Sequence, residues 1–387
     1  MPTVRLPTAE RRAEEHRVGP ASPFPATAAG GFPRVAYAAA HVVADPLVDV
    51  APWQRAAVDW EATMAFRRHL WGLGFKIAEA MDTSQRGMGL DWPTARELIR
   101  RSLAEARTVD GADLACGVGT DQLEAKPGAT LDAVHRAYEE QLEAVEAAGG
   151  RAILMASRAL VQAARSADDY LRLYDGLIRP AREPVILHWL GDMFDPALEG
   201  YWGGADLDEA TESLLALVRE HAAKIDGIKI SLLDQEREVA LRQRLPEGVK
   251  MFTGDDFNYA ELIEGDAHGH SHALLGIFDP IAPAAAAALL ALGSGETDRF
   301  RRVLEPTVPL SRKIFETPTQ YYKAGVVFLA WLNGHQDHFA MVGGMQSARP
   351  ALHYADVFRL ADCAGLLRDP ELACSRMRGL MALHGIG

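Results

Sequence analysis

Asp226-Gly227-Ile228-Lys229-Ile230-Ser231 is a short apolar run interrupted by one lysine, with a polar end and a helical pattern after it. It reads as a single buried strand. At the mouth of a parallel barrel such a lysine would project its amine into partly dry surroundings. Desolvation disfavours the ammonium form and lowers the pKa, which leaves a usable nucleophile. The natural product of that amine with a carbonyl compound is a Schiff base. In isolation the same residue reads first as a strand-end lysine with its head in water. Its place in the chain decides between the two.

Working outward, one unit recurs from about residue 31: a short apolar strand, a polar loop, then an amphipathic helix. The strands expected are Arg34–Ala38, Phe75–Ala80, Asp113–Cys116, Ala152–Met155, Val185–His188, Gly227–Ile230, Val249–Thr253 and Ser271–Ile277. The clearer helices between them are Trp53–Trp71, Trp92–Ala106, Leu131–Ala148, Ala167–Ile178 and Leu207–Ala223, with Asp91 and Asp206 placed to cap two of them. Eight strands alternating with helices predict an α/β fold, a (β/α)8 TIM barrel. A doubly wound open sheet would call for a glycine-rich phosphate loop after the first strand. Gly117-Val118-Gly119, after the third, lacks the remaining glycine and the acidic residue of a dinucleotide site.

Beyond the eighth strand the pattern turns helical, over Ala284–Leu292, Glu296–Phe315, Tyr321–Leu332, Tyr354–Ala364 and Pro370–His384. The expected division is an N-terminal arm over 1–30, the barrel over 31–295 and a C-terminal helical extension over 296–387. The polar run Asn333-Gly334-His335-Gln336-Asp337-His338 reads as an interhelical loop, a lid or a subunit contact.

Net charge is −13 over 387 residues, and no Lys/Arg cluster stands out, which argues against a nucleic-acid partner. The three cysteines, Cys116, Cys363 and Cys374, form neither a disulfide framework nor a zinc pattern, and point to a reducing cytoplasm. The most apolar run, Ile281 to Leu292, contains Pro283 and is too short to span a bilayer, so no membrane partner is expected.

The order of motifs resembles the dihydrodipicolinate synthase / N-acetylneuraminate lyase superfamily, over roughly residues 31–335, as a divergent branch. Gly227-Ile228-Lys229-Ile230-Ser231 is similar to that family's Schiff-base strand, the sixth of the barrel. Thr253-Gly254-Asp255-Asp256 resembles its S-G-D-D on the seventh, and Gly269 to Ile277 its eighth. Gly117-Val118-Gly119 resembles its G-V-G turn, and Tyr322-Lys323-Ala324 its late helix. The resemblance implies a class I lyase or aldolase with Lys229 as imine-forming residue, a small carbonyl substrate, no cofactor, and a homodimer or homotetramer.

The chain also departs from that pattern. Where the family carries its carboxylate-binding loop, this sequence has Asp82-Thr83-Ser84-Gln85-Arg86-Gly87, in which Thr83 and Ser84 can still donate hydroxyl bonds. The family tyrosine after the fourth strand is replaced by Met155-Ala156-Ser157-Arg158, and the fifth strand ends His188-Trp189. These changes argue against dihydrodipicolinate synthesis itself. With that tyrosine gone, His188 and His272 are the candidate proton carriers, His188 reading equally as a buried histidine bonded to backbone. Arg158 could grip a substrate carboxylate or phosphate or form a surface ion pair. Ser231, Asp255 and Asp256 could contact substrate, with one aspartate capping the next helix. Asp192 and Asp195 suit polyol recognition or a turn.

Two other readings stand beside the lyase. His270 and His272 share a strand face and could bind a metal with Asp255, Asp256 or Glu79, giving a metal-assisted sugar isomerase or hydrolase. The barrel could also serve as a non-catalytic binding protein.

Overall fold

Thr3–Pro7 (β1) and Ala13–Arg17 (β2) pair antiparallel, Thr3 opposite Arg17 and Pro7 opposite Ala13. This hairpin was not expected from the sequence, which reads there as an arm. The computed structural model describes residues 1–25 and 31–386, so residues 26–30 of the expected arm lie outside the described residues.

All eight expected strands form: Ala36–Ala39 (β3), Lys76–Glu79 (β4), Leu114–Val118 (β5), Arg151–Leu154 (β6), Val185–Leu190 (β7), Ile225–Ser231 (β8), Lys250–Thr253 (β9) and His272–Leu275 (β10). They close into a parallel barrel in the order β3 to β10, with β10 pairing back onto β3. The near-continuous apolar strands, such as Leu114-Ala115-Cys116-Gly117-Val118, follow from burial on both faces of a parallel sheet. Alternate residues fill the interior: Tyr37, Ala39, Ala78, Ala115, Ile153, Ile186, Phe252 and Leu274 pack there with Met81 and Met155.

The N-terminal ends of the strands are closed by charge pairing. Lys76 Nζ donates to Asp113 at 2.5 Å, Arg151 donates to both Asp113 oxygens at 2.8 Å and to the Tyr37 hydroxyl at 3.1 Å, and Lys250 donates to Asp226 at 2.6 Å. The opposite, C-terminal end is where turns leave the strands for the helices, and where a barrel of this kind carries its chemistry. Asp91 and Asp206 cap their helices as expected, accepting from Thr94 N and from Asp208 and Glu209 N.

The chain divides into two compact units, one of Arg34–Ala40 and Lys76–Leu275, the other of Met1–Pro33, His41–Phe75 and Gly276–Gly387. The expected boundary at residue 295 differs from this division, because the helix Ala282–Gly293 falls with the second unit. In that unit the hairpin is tied to the late helices Ala351–Cys363 and Pro370–Leu383: His16 Nε2 meets Asp362 at 2.8 Å, Arg359 donates to Pro7 O at 2.9 Å and Arg378 to Thr3 O at 3.1 Å. The Asn333–His338 run is an interhelical connection held in its own unit, with Asn333 accepting from Arg368 N at 2.9 Å and the His335 ring packed on His69 and Phe66.

Candidate active site

Lys229 sits on β8 in register with His188 on β7 and Phe252 on β9. Register partners in a parallel ladder share a face, and Phe252 belongs to the barrel interior, so the amine is carried inside the barrel. The side chain is 8% exposed, and Nζ makes no hydrogen bond or ion pair to the described residues. Burial pulls its pKa below the ordinary lysine value, opposed by the charges of Asp82 and Asp256.

The space for that side chain is made by a neighbouring glycine. A Cβ on Gly254 would lie 2.2 Å from Ser231 Oγ, 2.8 Å from Ile230 O and 2.8 Å from Lys229 Cε. Gly254 N also donates to Ile230 O at 2.8 Å, which presses the β9 exit against the β8 exit. Ser231 Oγ lies 3.3 Å from His188 Nε2, while His188 Nδ1 is buried with no partner among the described residues. Burial first, and the nearby Lys229 second, hold the His188 imidazole well below its usual pKa, so it is neutral at physiological pH.

After β4 the chain makes a 3₁₀ turn over Asp82–Ser84. Ser84 Oγ donates to Ala40 O at 2.7 Å, and the backbone N–H groups of Ser84 and Gln85 donate to Met81 O and Asp82 O. Ser84 is therefore engaged in holding the turn, while Thr83 is buried beside it. Arg86 is buried and anchors the segment: it donates to Ala80 O at 3.1 Å, Gly117 O at 3.2 Å and Gln141 at 2.8 Å, and pairs with Asp121. Burial works against ionisation of Asp121, but the Arg86 guanidinium keeps its carboxyl below the usual range. Asp82 is half-buried, and its carboxylate makes no hydrogen bond to the described residues.

Arg158 begins the helix after β6 and pairs with Asp195, its side chain 46% exposed. Asp195 also caps the short turn at Pro196 by accepting from Ala197 N, and Asp192 is exposed. Asp255 is structural: its Oδ1 accepts from Phe257 N at 2.8 Å and Asn258 N at 3.0 Å, and its Oδ2 from Asn258 Nδ2 at 2.8 Å. Asp256 is buried and is the aspartate of the pair whose charge reaches Lys229.

Residues 4–386 match the family described as "Protein of unknown function (DUF993)". The chain belongs to this family. No curated protein matches it in sequence. Among solved structures, YagE from E. coli K12, described as a prophage protein of the dihydrodipicolinic acid synthase family in complex with pyruvate, aligns at 12% identity with a TM-score of 0.64, covering 92% of this chain and 99% of its own. Dihydrodipicolinate synthase from Acinetobacter baumannii, also complexed with pyruvate, aligns at 16% identity with a TM-score of 0.62, over 86% of this chain and 99% of its own. The Bacillus clausii synthase gives 16% and 0.62, over 84% and 96%. The resemblance read from the motifs holds at the level of fold: this DUF993 chain forms a (β/α)8 barrel similar to those of the dihydrodipicolinate synthases.

The structure brings Lys229, His188 and Ser231 together, with Asp82 and Asp256 close enough for their charges to act on the lysine, but it does not bring His272 to them. His272 is the first residue of β10, so it stands toward the N-terminal ends of the strands. Its Nδ1 accepts from Val35 N at 3.0 Å, and the charged groups that act on it are His270, Lys250, Arg34 and Asp226. Burial lowers its pKa to about 4. His272 is thus placed as a neutral structural histidine at the barrel floor. The metal reading loses its ligand set for a related reason. Glu79 accepts from Ser102 Oγ at 2.5 Å and from Ala80 N, and Asp255 is fully engaged in its turn. Among the described residues the trio that gathers metal-type donors is Asp175, Glu220 and His221, with Arg179 already paired to both acids at 2.5 and 3.6 Å.

Two features had no clear signal in the sequence. Phenols do reach the end of β6, from elsewhere in the chain: Tyr201 OH accepts from Ser157 N at 3.2 Å and meets Tyr174 OH at 2.8 Å, and Tyr138 OH donates to Met155 O at 2.5 Å. Burial keeps all three phenols neutral. The second is Glu238, buried under β9 and β10, which accepts from Thr253 Oγ1 at 3.0 Å and Ser271 Oγ at 2.7 Å. Its pKa is raised to about 8, chiefly by burial.

Proposed function

We propose that this chain is a class I lyase or aldolase that forms an iminium on Lys229 with a 2-oxo acid or keto-sugar derivative. One observation carries the reading: a lysine on the sixth barrel strand, 8% exposed, whose amine has no hydrogen-bond or ion-pair partner among the described residues. An amine at this depth that is not held in a salt bridge is left available to a carbonyl compound entering the barrel mouth. Two structures of the same fold are described as complexes with pyruvate, itself a carbonyl compound.

In this mechanism the Nζ lone pair forms the N–C bond as the carbonyl π pair moves to oxygen. Proton transfer and loss of that oxygen as water leave a C=N⁺ iminium. The iminium then accepts the electron pair of an adjacent breaking bond, which permits C–C cleavage, and in reverse condensation. His188, neutral and with Nδ1 unpartnered, is the group placed to carry protons. Asp82 and Asp256 offset the permanent positive charge of the iminium. No metal or organic cofactor is required. Assembly as a homodimer or homotetramer belongs to the same reading and is checked by sedimentation velocity at micromolar concentration.

The test is borohydride reduction in the presence of carbonyl compounds, followed by intact mass and peptide mapping. A covalent addition at Lys229 is expected, absent in Lys229→Ala. Labelling that maps to other lysines alone would refute the assignment.

A further inference from the structure

We infer that the unit holding the late helices carries a second small-molecule site, a pocket whose ligand is a monocarboxylate built on a single apolar ring, of the size of benzoate or phenylacetate. None of its residues belongs to the unit that carries Lys229, and the inference does not depend on the imine reading.

The pocket has a volume of about 180 Å³. A dry cavity of about 150 Å³ takes up one benzene ring, so this space suits one ring with a short substituent and excludes a nucleotide. Much of the wall is apolar, formed by Phe24, Phe66, Pro280, Pro283, Leu329 and Leu366. The polar residues of the lining are Ser22, His69, Asp279, Asn333, His335 and Arg368.

Arg368 stands at the exposed rim. Its backbone N–H donates to Asn333 Oδ1 at 2.9 Å, and its Nη2 lies 3.4 Å from the place a Cβ on Gly334 would take. The guanidinium therefore lies against the Asn333-Gly334-His335 turn, and it makes no hydrogen bond or ion pair to the described residues. The acid next to it in the chain, Asp369, is engaged in capping the following helix, accepting from Glu371 N and Leu372 N. The rings of His335 and His69 pack with centroids 4.5 Å apart, and Phe66 lies 5.1 Å from His335. Neither ring has a hydrogen-bond partner among the described residues. Burial first, then nearby charges that include Arg368, keep both imidazoles neutral at physiological pH, so each offers one N–H. The Asn333 Nδ2 and the Ser22 hydroxyl are further donors without a partner among the described residues.

Asp279 is the one acid in the lining. Its Oδ2 accepts from His41 N at 2.8 Å and from His41 Nδ1 at 2.7 Å. Its side chain has no exposed surface, and Oδ1 has no partner among the described residues. This sealed carboxylate does not pair with Arg368, and it opposes a second negative charge on a ligand. The pocket thus offers one unpaired cation and several neutral donors beside a ring-sized apolar space. A carboxylate meets that set, because it joins a guanidinium through two parallel N–H···O bonds and brings a single charge. A phosphate brings more charge than Arg368 covers.

The experiment is calorimetric titration of the full chain with benzoate and phenylacetate, with benzyl alcohol as the neutral probe and phenyl phosphate as the more highly charged one. Both carboxylates should bind saturably, at least about tenfold tighter than benzyl alcohol, the scale of one charge-assisted contact. Arg368→Gln, at an exposed position, should weaken the carboxylates by about tenfold or more and leave benzyl alcohol unchanged. Ala21→Trp, a filling change on a half-buried coil residue of the lining, should exclude every probe while the unfolding temperature shows the fold intact. No saturable binding of either carboxylate at millimolar concentration overturns the site. Benzyl alcohol binding as tightly as benzoate overturns the acidic group, and phenyl phosphate binding more tightly than benzoate overturns the limit to one charge. Carboxylate binding of wild-type strength in Arg368→Gln or in folded Ala21→Trp overturns the assignment to this pocket.

Discussion

His188 on β7 and Lys229 on β8 are register partners that face the same interior, and the charge of one lowers the pKa of the other. A neutral imidazole next to a partly desolvated amine can exchange protons without holding a second positive charge in the barrel. This pairing carries the first prediction. His188→Phe should keep cyanoborohydride labelling at Lys229 but lose turnover of the trapped compound by about 10²–10⁴-fold. Full turnover in that variant would assign the proton transfers to another group.

The pH dependence of imine formation follows from the Lys229 environment. Only the unprotonated amine attacks, so labelling should rise with pH and level off above the Lys229 pKa, which burial sets below 10.5. Asp82 opposes that lowering, so Asp82→Asn should move the rise to lower pH. His188 stays neutral through the physiological range and should add no limb between about pH 6 and 8. Labelling rates measured across pH for both proteins check this, and a shift to higher pH in Asp82→Asn would contradict it.

Gly254→Ala probes the space around the lysine. The added methyl would meet Ser231 Oγ, Ile230 O and Lys229 Cε, and one of these is backbone that cannot turn aside. A loss of about 1–3 kcal/mol in denaturant-measured stability is expected, along with a drop in Lys229 labelling. Wild-type labelling in a stable variant would mean that the lysine has more room than the structure gives it.

Glu238 predicts a pH-dependent stability. Its folded-state pKa is raised to about 8, above the ordinary carboxylate value of 4.5. The folded protein therefore holds the proton more tightly than the unfolded chain. The contribution is fully present below about pH 4.5 and is lost as pH rises through about 8. Glu238→Gln, which keeps the shape without the charge, should flatten this dependence and raise Tm at pH 9 relative to the wild type. The gain is on the order of a few kcal/mol. Parallel Tm-against-pH curves for the two proteins would show that Glu238 does not ionise on this path.

The eight barrel strands were legible because a buried parallel strand needs an uninterrupted apolar run, and each run is bounded by turn residues. Lys229 was legible because it breaks such a run. The hairpin was not, since Ala13-Glu14-Glu15-His16-Arg17 is almost wholly polar and owes its pairing to β1 and to helices more than 300 residues away. His272 misled for a geometric reason. It begins its strand, and in a parallel barrel the beginning is the end opposite to the one where Lys229 stands. The effect of Asp82 on Lys229 links the turn after β4 to β8, a relation between distant segments that no local pattern encodes. Thr83, Ser84, Arg158 and Asp255 lie on segments that follow barrel strands, as their places in the sequence suggested, and Ser84, Arg158 and Asp255 are engaged by their own surroundings.

The order in which the ribosome delivers the chain has its own consequence. β3 is made early, yet one of its two barrel neighbours, β10, emerges only with residues 272–275. The hairpin waits longer still, because His16 and Pro7 are tied to Asp362 and Arg359. Until β10 leaves the exit tunnel, a bare β3 edge and an unanchored hairpin coexist on the nascent chain, and the hairpin stays unanchored until those helices follow, an interval in which chaperone capture competes with completion of the fold.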